Sequence, residues 1–215
     1  MTYVSWAALY EGATDRAYFE LLIPRVMEDI IMQLGTRHAI VPPSPAIILQ
    51  RSTIEGVAKE ACATKDAFHL LFIHADTGGR GLAGDLDARS FSYCEAIHSR
   101  CEFRAVRCIT ISPRHETEAW ILADPQAVIA ALGYVGSPAS IGLPGSPVDA
   151  ERLQDPKAVL MAAVRQVRGR RRPFDAKQLF PAIAQRQSLA TLRKASSFVS
   201  FEANLQAGLR DIGCI

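Results

Sequence analysis

Residues 4–15 read VSWAALYEGATD, and this stretch sets the interpretation of the whole chain. Its apolar part is typical of a buried strand, which ends at Glu11 and a glycine. Thr14 or Asp15 then caps a helix that begins near Arg16. Glu11 is therefore expected at the carboxyl end of a strand, where open α/β sheets bind ligands. Two interpretations stay open here: a strand end with a helix cap, or an acidic site that a divalent cation compensates.

The composition is that of an ordinary globular protein. The chain has 215 residues, of which 49% are hydrophobic and 21% charged, and a formal net charge of +2. A charge this close to zero means that any nucleic-acid binding must rest on local patches. We expect neither a leader nor a membrane span, and hence a cytoplasmic protein. The five cysteines form no CxxC pair, which predicts reduced thiols rather than a disulfide framework.

Apolar segments alternate with helical periodicity along the first 132 residues. Strands are predicted at residues 4–10, 46–50, 68–74 and 103–111, and helices at 16–35, 53–65, 85–101 and 116–132. Pro24 predicts a kink or a break in the first helix. Strands that alternate with helices in this order predict an α/β fold with a mostly parallel central sheet, covered on both faces.

The composition changes after residue 132. Residues 133–155 are rich in Gly, Pro and Ser, which is typical of a surface loop or a domain boundary. Residues 156–215 have helical periodicity and no strand signal. The predicted organisation is therefore an α/β domain over 1–132, a connector over 133–155 and an α-helical C-terminal region over 156–215.

Acidic residues occur at three predicted strand-to-helix junctions. They are Glu11 with Asp15, Asp76, and the pair Glu116 and Glu118. Because the carboxyl ends of parallel strands converge, these side chains are expected to meet in one crevice. Carboxylates suit Mg²⁺ or Mn²⁺, and two such ions can assist phosphodiester cleavage. Acids that merely stabilise helix N-termini are common at the same positions.

The motifs at these junctions are similar to those of a known family. EGATD at 11–15 resembles the EGxTD/EGxSD signature that opens TOPRIM (topoisomerase–primase) domains of the OLD nuclease type. The strand that ends at residue 76 lies where TOPRIM proteins place a DxD motif. EAWILAD at 118–124 resembles a helix of small RloB-like bacterial proteins, and residues 155–157 and 192–202 resemble their tail. The resemblance covers most of the chain.

This resemblance implies a TOPRIM-like fold and a Mg²⁺- or Mn²⁺-dependent nuclease. It also implies an effector role in bacterial anti-phage defence beside an ABC/AAA-type ATPase partner, with homo-oligomers left open. The implied metal ligands are Glu11, Asp15, Asp76 and Glu118, with Glu116 as the alternative to Glu118, and His74 is a further candidate ligand. The implied catalytic residues are Glu11, Asp76 and Lys157, of which Lys157 (or Lys177) would neutralise charge on a phosphate. Both lysines fit a solvated surface equally well.

Position 74 departs from the family pattern. A DxD motif needs an acid there, and this chain has His74. Neutral imidazole binds transition metals but is a poor Mg²⁺ ligand. The site would then prefer Mn²⁺ or bind one ion. Otherwise the protein is a catalytically degenerate scaffold that regulates the ATPase or nucleic acid. His74 also fits a hydrogen-bonded core histidine.

Other clusters allow further interpretations. The densest positive cluster comprises Arg165, Arg168, Arg170, Arg171 and Arg172. It is expected either to bind nucleic-acid phosphates, above all through Arg168 and the three arginines at 170–172, or to be a solvated helix end. GRGLAG at 79–84 matches GxGxxG but does not follow the strand directly, so a mobile loop explains it better. Asp85 and Asp87 are second-choice acids or helix caps.

Cys94, His98 and Cys101 share one face of a predicted helix. Their spacing resembles that of metal ligands, but structural zinc needs a fourth ligand. A half-buried helix face is the preferred explanation.

Overall fold

A four-stranded, all-parallel sheet lies at the centre of the molecule, as the alternating pattern predicted. The computed structural model describes residues 2–35, 38–74, 88–169 and 176–215. The strands are β1 (Thr2–Tyr3), β2 (Trp6–Leu9), β3 (Ala39–Ile40), β4 (Ile47–Ile48), β5 (Leu70–His74) and β6 (Cys108–Ile111). The central sheet has the order β4-β2-β5-β6, and β1 pairs with β3 in a small parallel sheet of its own.

Helices cover both faces of the sheet and make up the C-terminal region. They are α1 (Ala13–Leu34), α2 (Ile54–Thr64), α3 (Ala88–Cys101), α4 (Thr117–Ala123), α5 (Pro125–Leu132), α6 (Pro147–Ala150), α7 (Pro156–Arg168), α8 (Ala176–Arg186), α9 (Leu189–Leu192) and α10 (Ser196–Asp211). In the part of the chain that the structure describes, none of these helices combines the length and apolarity needed to cross a bilayer.

The strands divide their side chains between two hydrophobic cores. In β2, Trp6 and Ala8 face the larger core, whereas Ala7 and Leu9 face the smaller one. The adjacent strand β5 follows the same alternation, which the period of two along a strand requires. The larger core packs the sheet against α1, α4 and α10, and the smaller core packs it against α2 and α3.

The C-terminal helices contribute to the same core as the sheet. Gln187, which is buried after α8, accepts a hydrogen bond from the Tyr18 hydroxyl at 2.5 Å. Its amide nitrogen donates to the carbonyl oxygen of Trp120 at 2.7 Å. This one side chain thus connects α1, α4 and the C-terminal region. The predicted boundaries at residues 132 and 155 stay a prediction, while the larger core runs across both of them.

Three local details differ from the sequence-based expectations. The helix α1 continues through Pro24 and is not broken there. The helix predicted over 116–132 is two helices, because Asp124 caps the second one and Pro125 occupies its first turn. The strand predicted over 103–111 is shortened to its last four residues by a turn of 3₁₀ helix at Ala105–Arg107.

The prediction of reduced cysteines is contradicted by two disulfide bonds. Cys62 on α2 is bonded to Cys101 on α3, and Cys94 on α3 is bonded to Cys108 on β6. Both pairs have a Cα–Cα distance of 5.7 Å, within the range that a disulfide requires. Cys214 is a buried free thiol. Sequence spacing did not reveal the pairs because their partners meet only after the smaller core has formed.

The disulfides predict the thiol count of the purified protein. Under denaturing, non-reducing conditions, a thiol reagent should detect one thiol per chain, that of Cys214, and all five after reduction. Cys214→Ser is the matched control and should leave no reactive thiol before reduction. Five thiols in the protein without reduction would contradict the two bonds.

Candidate functional site

The candidate site lies at the carboxyl ends of β2 and β5, which are neighbours in the sheet. After β2 the chain continues into α1 on one face, and α3, the next described helix after β5, lies on the other face. Adjacent parallel strands whose following helices lie on opposite faces leave a crevice between them, where α/β proteins bind ligands. Glu11 follows β2 directly, is exposed, and lines a cavity at this edge together with His74.

A hydrogen-bonded chain joins three elements at this edge. The hydroxyl of Thr117, in the first turn of α4, donates to Asp15 Oδ1 at 2.7 Å. The same hydroxyl lies 3.3 Å from His74 Nε2 at the end of β5. Because the hydroxyl proton is used on Asp15, we infer that His74 carries its proton on Nε2 and donates it to Thr117. Asp15, His74 and Thr117 are therefore held together by direct contacts.

His74 is the last residue of β5, and its side chain is buried against α1. Its ring packs on Phe19 with a centroid separation of 4.8 Å, and only 1% of the residue is exposed. Burial lowers the pKa of His74, although the negative charges of Asp15 and Glu11 act in the opposite direction. The imidazole is therefore neutral at pH 7. These contacts agree with the alternative of a core histidine, and its role as a metal ligand stays a prediction.

Two further acids stand at the start of α4. Glu118 is buried, and desolvation, with the charges of Glu116 and Asp15, raises its pKa to about 7. Glu116 occupies the N-cap position of α4, and its buried Oε2 has no hydrogen-bond partner among the described residues. Acids from the β2–α1 junction and from α4 are thus close enough for their charges to interact, as the sequence led us to expect for these two junctions.

Lys157 lies beside this acidic cluster. It is exposed in the first turn of α7, and its positive charge lowers the pKa of Glu118 against the larger effect of burial. The predicted catalytic residue Lys157 therefore lies on a helix, α7, that is near the predicted site. Its role in catalysis stays a prediction.

Several predicted residues lie outside the described part of the chain. These are Asp76, Asp85, Asp87, the glycines of GRGLAG and the arginines at 170–172. Of the arginine cluster, the structure describes Arg165, exposed, and Arg168, half-buried, both in the last turn of α7. The predicted phosphate-binding role of the cluster stays a prediction.

The zinc interpretation of α3 is wrong. Cys94 and Cys101 belong to two different disulfides, so neither offers a thiolate to a metal. The Nδ1 of His98 lies 3.0 Å from the carbonyl oxygen of Phe103. The shared helical face reflects packing in the smaller core, as the preferred explanation held.

A cavity of about 510 Å³ lies at the carboxyl end of β2, and among the described residues Glu11 is the acid that lines it. Glu11, Gly12 and His74 line one side of it, and the segment 48–52 after β4 lines another. Arg16 and Arg51 add guanidinium groups, and Tyr93 adds an aromatic ring. A concave, partly apolar space with a few charged groups is typical of a small-molecule or substrate site.

The donor groups fit a divalent cation only in part. Among the described residues, no three His, Cys, Asp or Glu side chains form a group that could hold a metal ion. Two observations nevertheless favour a cation there. The buried Oε2 of Glu116 has no hydrogen-bond partner among the described residues, and the negative charges of Glu116 and Asp15 add to the effect of burial on the pKa of Glu118. Asp76, which would supply another oxygen, lies outside the described residues.

Comparisons with protein-family profiles, curated proteins and solved structures found no match for this chain. The TOPRIM resemblance therefore stays a prediction from the motifs.

Sequence reasoning missed Thr117, Arg51 and Tyr93. Thr117 lies between Glu116 and Glu118, so its place at the junction was a usable signal. Arg51 follows a two-residue strand with no motif around it, and Tyr93 lies in a helix with ordinary core periodicity. Neither carried a signal that a single sequence could show.

Replacing Glu118 with Gln is expected to change how stability depends on pH. The folded-state pKa of about 7 exceeds the ordinary value of 4.5, so wild type loses stability as pH rises between those values. A difference of this size corresponds to about 3 kcal/mol. Glu118→Gln should therefore gain stability relative to wild type from pH 5 to pH 8, measured by urea unfolding. Glu28→Gln, at an exposed position of α1, should show no such trend. A parallel pH profile for Glu118→Gln and wild type would refute the raised pKa.

Replacing Thr117 with Val removes the hydroxyl that joins Asp15 and His74. Both partners then lose a bond at a part-buried edge, and we expect a loss of about 2 kcal/mol in the free energy of unfolding. Thr117→Ser keeps the hydroxyl and is the control, with most of the stability retained. A larger loss in Thr117→Ser than in Thr117→Val, which keeps the methyl group, would show that the methyl group, rather than the hydrogen bonds, matters.

Proposed function

We propose that the crevice is the active site of a Mg²⁺- or Mn²⁺-dependent nuclease that hydrolyses phosphodiester bonds. The observation that carries the proposal is the meeting of acids from separate strand-to-helix junctions at one edge of a parallel sheet. The negative charge of Asp15 contributes to the raised pKa of Glu118, and the charges of Asp15 and Glu11 act on the pKa of His74. The EGATD and EAWILAD motifs that resemble TOPRIM proteins contribute these same acids.

Like charges buried together need compensation. Burial raises the pKa of Glu118, the charges of Glu116 and Asp15 add to this effect, and Lys157 offsets only part of it. A divalent cation is the usual compensating charge for such a cluster. When bound, it supplies Lewis acidity that activates water and stabilises charge on a phosphate.

The described side chains have distinct roles in this proposal. Glu11, exposed at the cavity, accepts the proton of the attacking water or binds the cation. Asp15 keeps its orientation through Thr117, and the hydrogen bond leaves its second oxygen available for a cation. Lys157, exposed beside Glu118, stabilises negative charge that develops on the phosphate. Asp76 is proposed as the ligand from the end of the central strand.

A second candidate is the degenerate TOPRIM scaffold that regulates an ATPase partner or nucleic acid. One specific contact favours it: His74 replaces an acid and is already bonded to Thr117. A neutral, buried imidazole in that position adds no negative charge for Mg²⁺. The defence role and the ATPase partner rest on the resemblance alone, and the cytoplasmic location stays a prediction from the sequence.

Cleavage assays distinguish the two candidates. Labelled DNA and RNA are incubated with wild type, Glu11→Gln or Asp76→Asn, in Mg²⁺, Mn²⁺ or EDTA. We expect metal-dependent cleavage by wild type, faster with Mn²⁺ because of His74, and a loss of about 100-fold or more in each variant. Glu28→Gln, exposed on α1, is the matched control and should cleave like wild type.

If the protein is the degenerate scaffold, wild type is expected to show no metal-dependent cleavage. A folded wild-type protein that cleaves neither DNA nor RNA in either metal would rule out an autonomous nuclease. Mn²⁺ should then also leave the thermal unfolding midpoint of the protein unchanged.

A further inference from the structure

The cavity beside Glu11 has a second side whose chemistry the proposed function does not use. We propose that this side binds a phosphate group of the nucleic-acid substrate, and that Arg51 is its main phosphate-binding residue. The inference rests on the proposed function for the identity of the substrate. The binding itself is independent of catalysis.

The segment that carries Arg51 is held in place by its neighbours. The Glu60 carboxylate accepts hydrogen bonds from the backbone N–H groups of Gln50 and Arg51 at 2.9 and 3.1 Å. The Tyr93 hydroxyl donates to the Ser52 carbonyl oxygen at 2.9 Å. Thr53 then caps α2 by accepting from the backbone N–H of Gly56. A loop fastened by two helices positions Arg51 before any ligand arrives, which lowers the entropic cost of binding.

Gly56 leaves room for the stem of the arginine. A Cβ atom at Gly56 would approach Arg51 Cβ to 3.1 Å and Cγ to 3.5 Å. The aliphatic part of Arg51 therefore lies against the first turn of α2, and Arg51 is among the residues that line the cavity. An arginine stem packed in this way limits the directions that the charged head can take.

Within the described part of the chain, no carboxylate forms an ion pair with the Arg51 guanidinium. Among the described residues, its guanidinium takes part in no hydrogen bond or ion pair, whereas Arg16 on the same cavity pairs with Glu20 at 2.9 Å. A guanidinium offers several donors in a planar arrangement that matches phosphate oxygens. Among the described residues, Arg51 thus keeps all its side-chain donors unused, whereas Arg16 already uses its Nε on Glu20, and a phosphate is the group complementary to Arg51.

The position of Arg51 relative to Glu11 fits one substrate strand. Glu11 follows β2 and Arg51 follows the adjacent strand β4, two residues beyond Leu9 and Leu49 respectively. Neighbouring strands lie about 5 Å apart, so the acidic side and the arginine side of the cavity face adjacent parts of one bound chain. Arg51 would hold a phosphate next to the one that is cleaved, with Leu49 and Tyr93 as apolar contacts.

Equilibrium binding tests the inference without catalysis. A fluorescein-labelled single-stranded oligonucleotide is titrated with protein in EDTA and followed by fluorescence anisotropy at several salt concentrations. We expect Arg51→Ala to raise the Kd about tenfold and to reduce the slope of log Kd against log salt by about one. Arg51→Lys should recover part of the affinity. The matched control is Arg210→Ala. Arg210 is exposed near the end of α10, a helix that contacts the amino end of β6.

Kinetics then separate this inference from the nuclease itself. In cleavage assays, Arg51→Ala should raise KM about tenfold with kcat within about twofold of wild type. If wild type binds the oligonucleotide through Arg51 but never cleaves it, the phosphate site stands and the nuclease proposal fails. If Arg51→Ala binds and cleaves like Arg210→Ala, or if wild type does not bind the oligonucleotide, the phosphate site is overturned.

Discussion

The structure depends on one constraint: a parallel sheet must be covered on both faces, because both carry apolar side chains. Side chains of β2 and β5 point alternately to the two faces of the sheet, and helices cover the apolar side chains on each face. The same alternation determines where His74 lies. As the fifth residue of β5 it shares the face of Leu70 and Phe72, so it contacts α1 through Phe19. The polar chain through Thr117 is therefore a consequence of strand periodicity at the edge of the larger core.

Much of the fold was predictable because it rests on local patterns. Buried strands, helical periodicity and their alternation predicted the parallel sheet and its helical layers. Contacts between segments distant in sequence were not predictable from periodicity. Gln187 reads as an ordinary polar residue, yet its buried amide joins Tyr18 and Trp120. The two disulfides likewise depend on α2 and α3 lying together, which no cysteine spacing reveals.

The site was predictable to a similar extent. The acids were predicted because each stands at a strand-to-helix junction, and the effects of Glu116 and Asp15 on the pKa of Glu118 agree with the expected proximity of these three. Their role as a site stays a prediction. The sequence did not predict Thr117 or Arg51 as parts of the site. A threonine hydroxyl, or an arginine after a two-residue strand, gives no functional signal until the folded backbone brings it to a site. The burial of Glu116 Oε2, which has no hydrogen-bond partner among the described residues, was also not predictable from the sequence. It depends on how the whole junction before α4 packs.

The two faces of the sheet obtain their stability from different sources. The larger core contains Trp6, Trp120 and an aromatic cluster that extends to Phe198. Among the described residues, the smaller core is covered on its outer side by α2 and α3, and both disulfides lie there. Disulfide bonds stabilise a protein mainly by restricting its unfolded chain. Here they compensate for the small apolar area of the layer formed by α2 and α3. A reductant is thus expected to loosen one layer selectively, so that amide protons of α2 and α3 exchange with solvent while those of α1 and α10 stay protected.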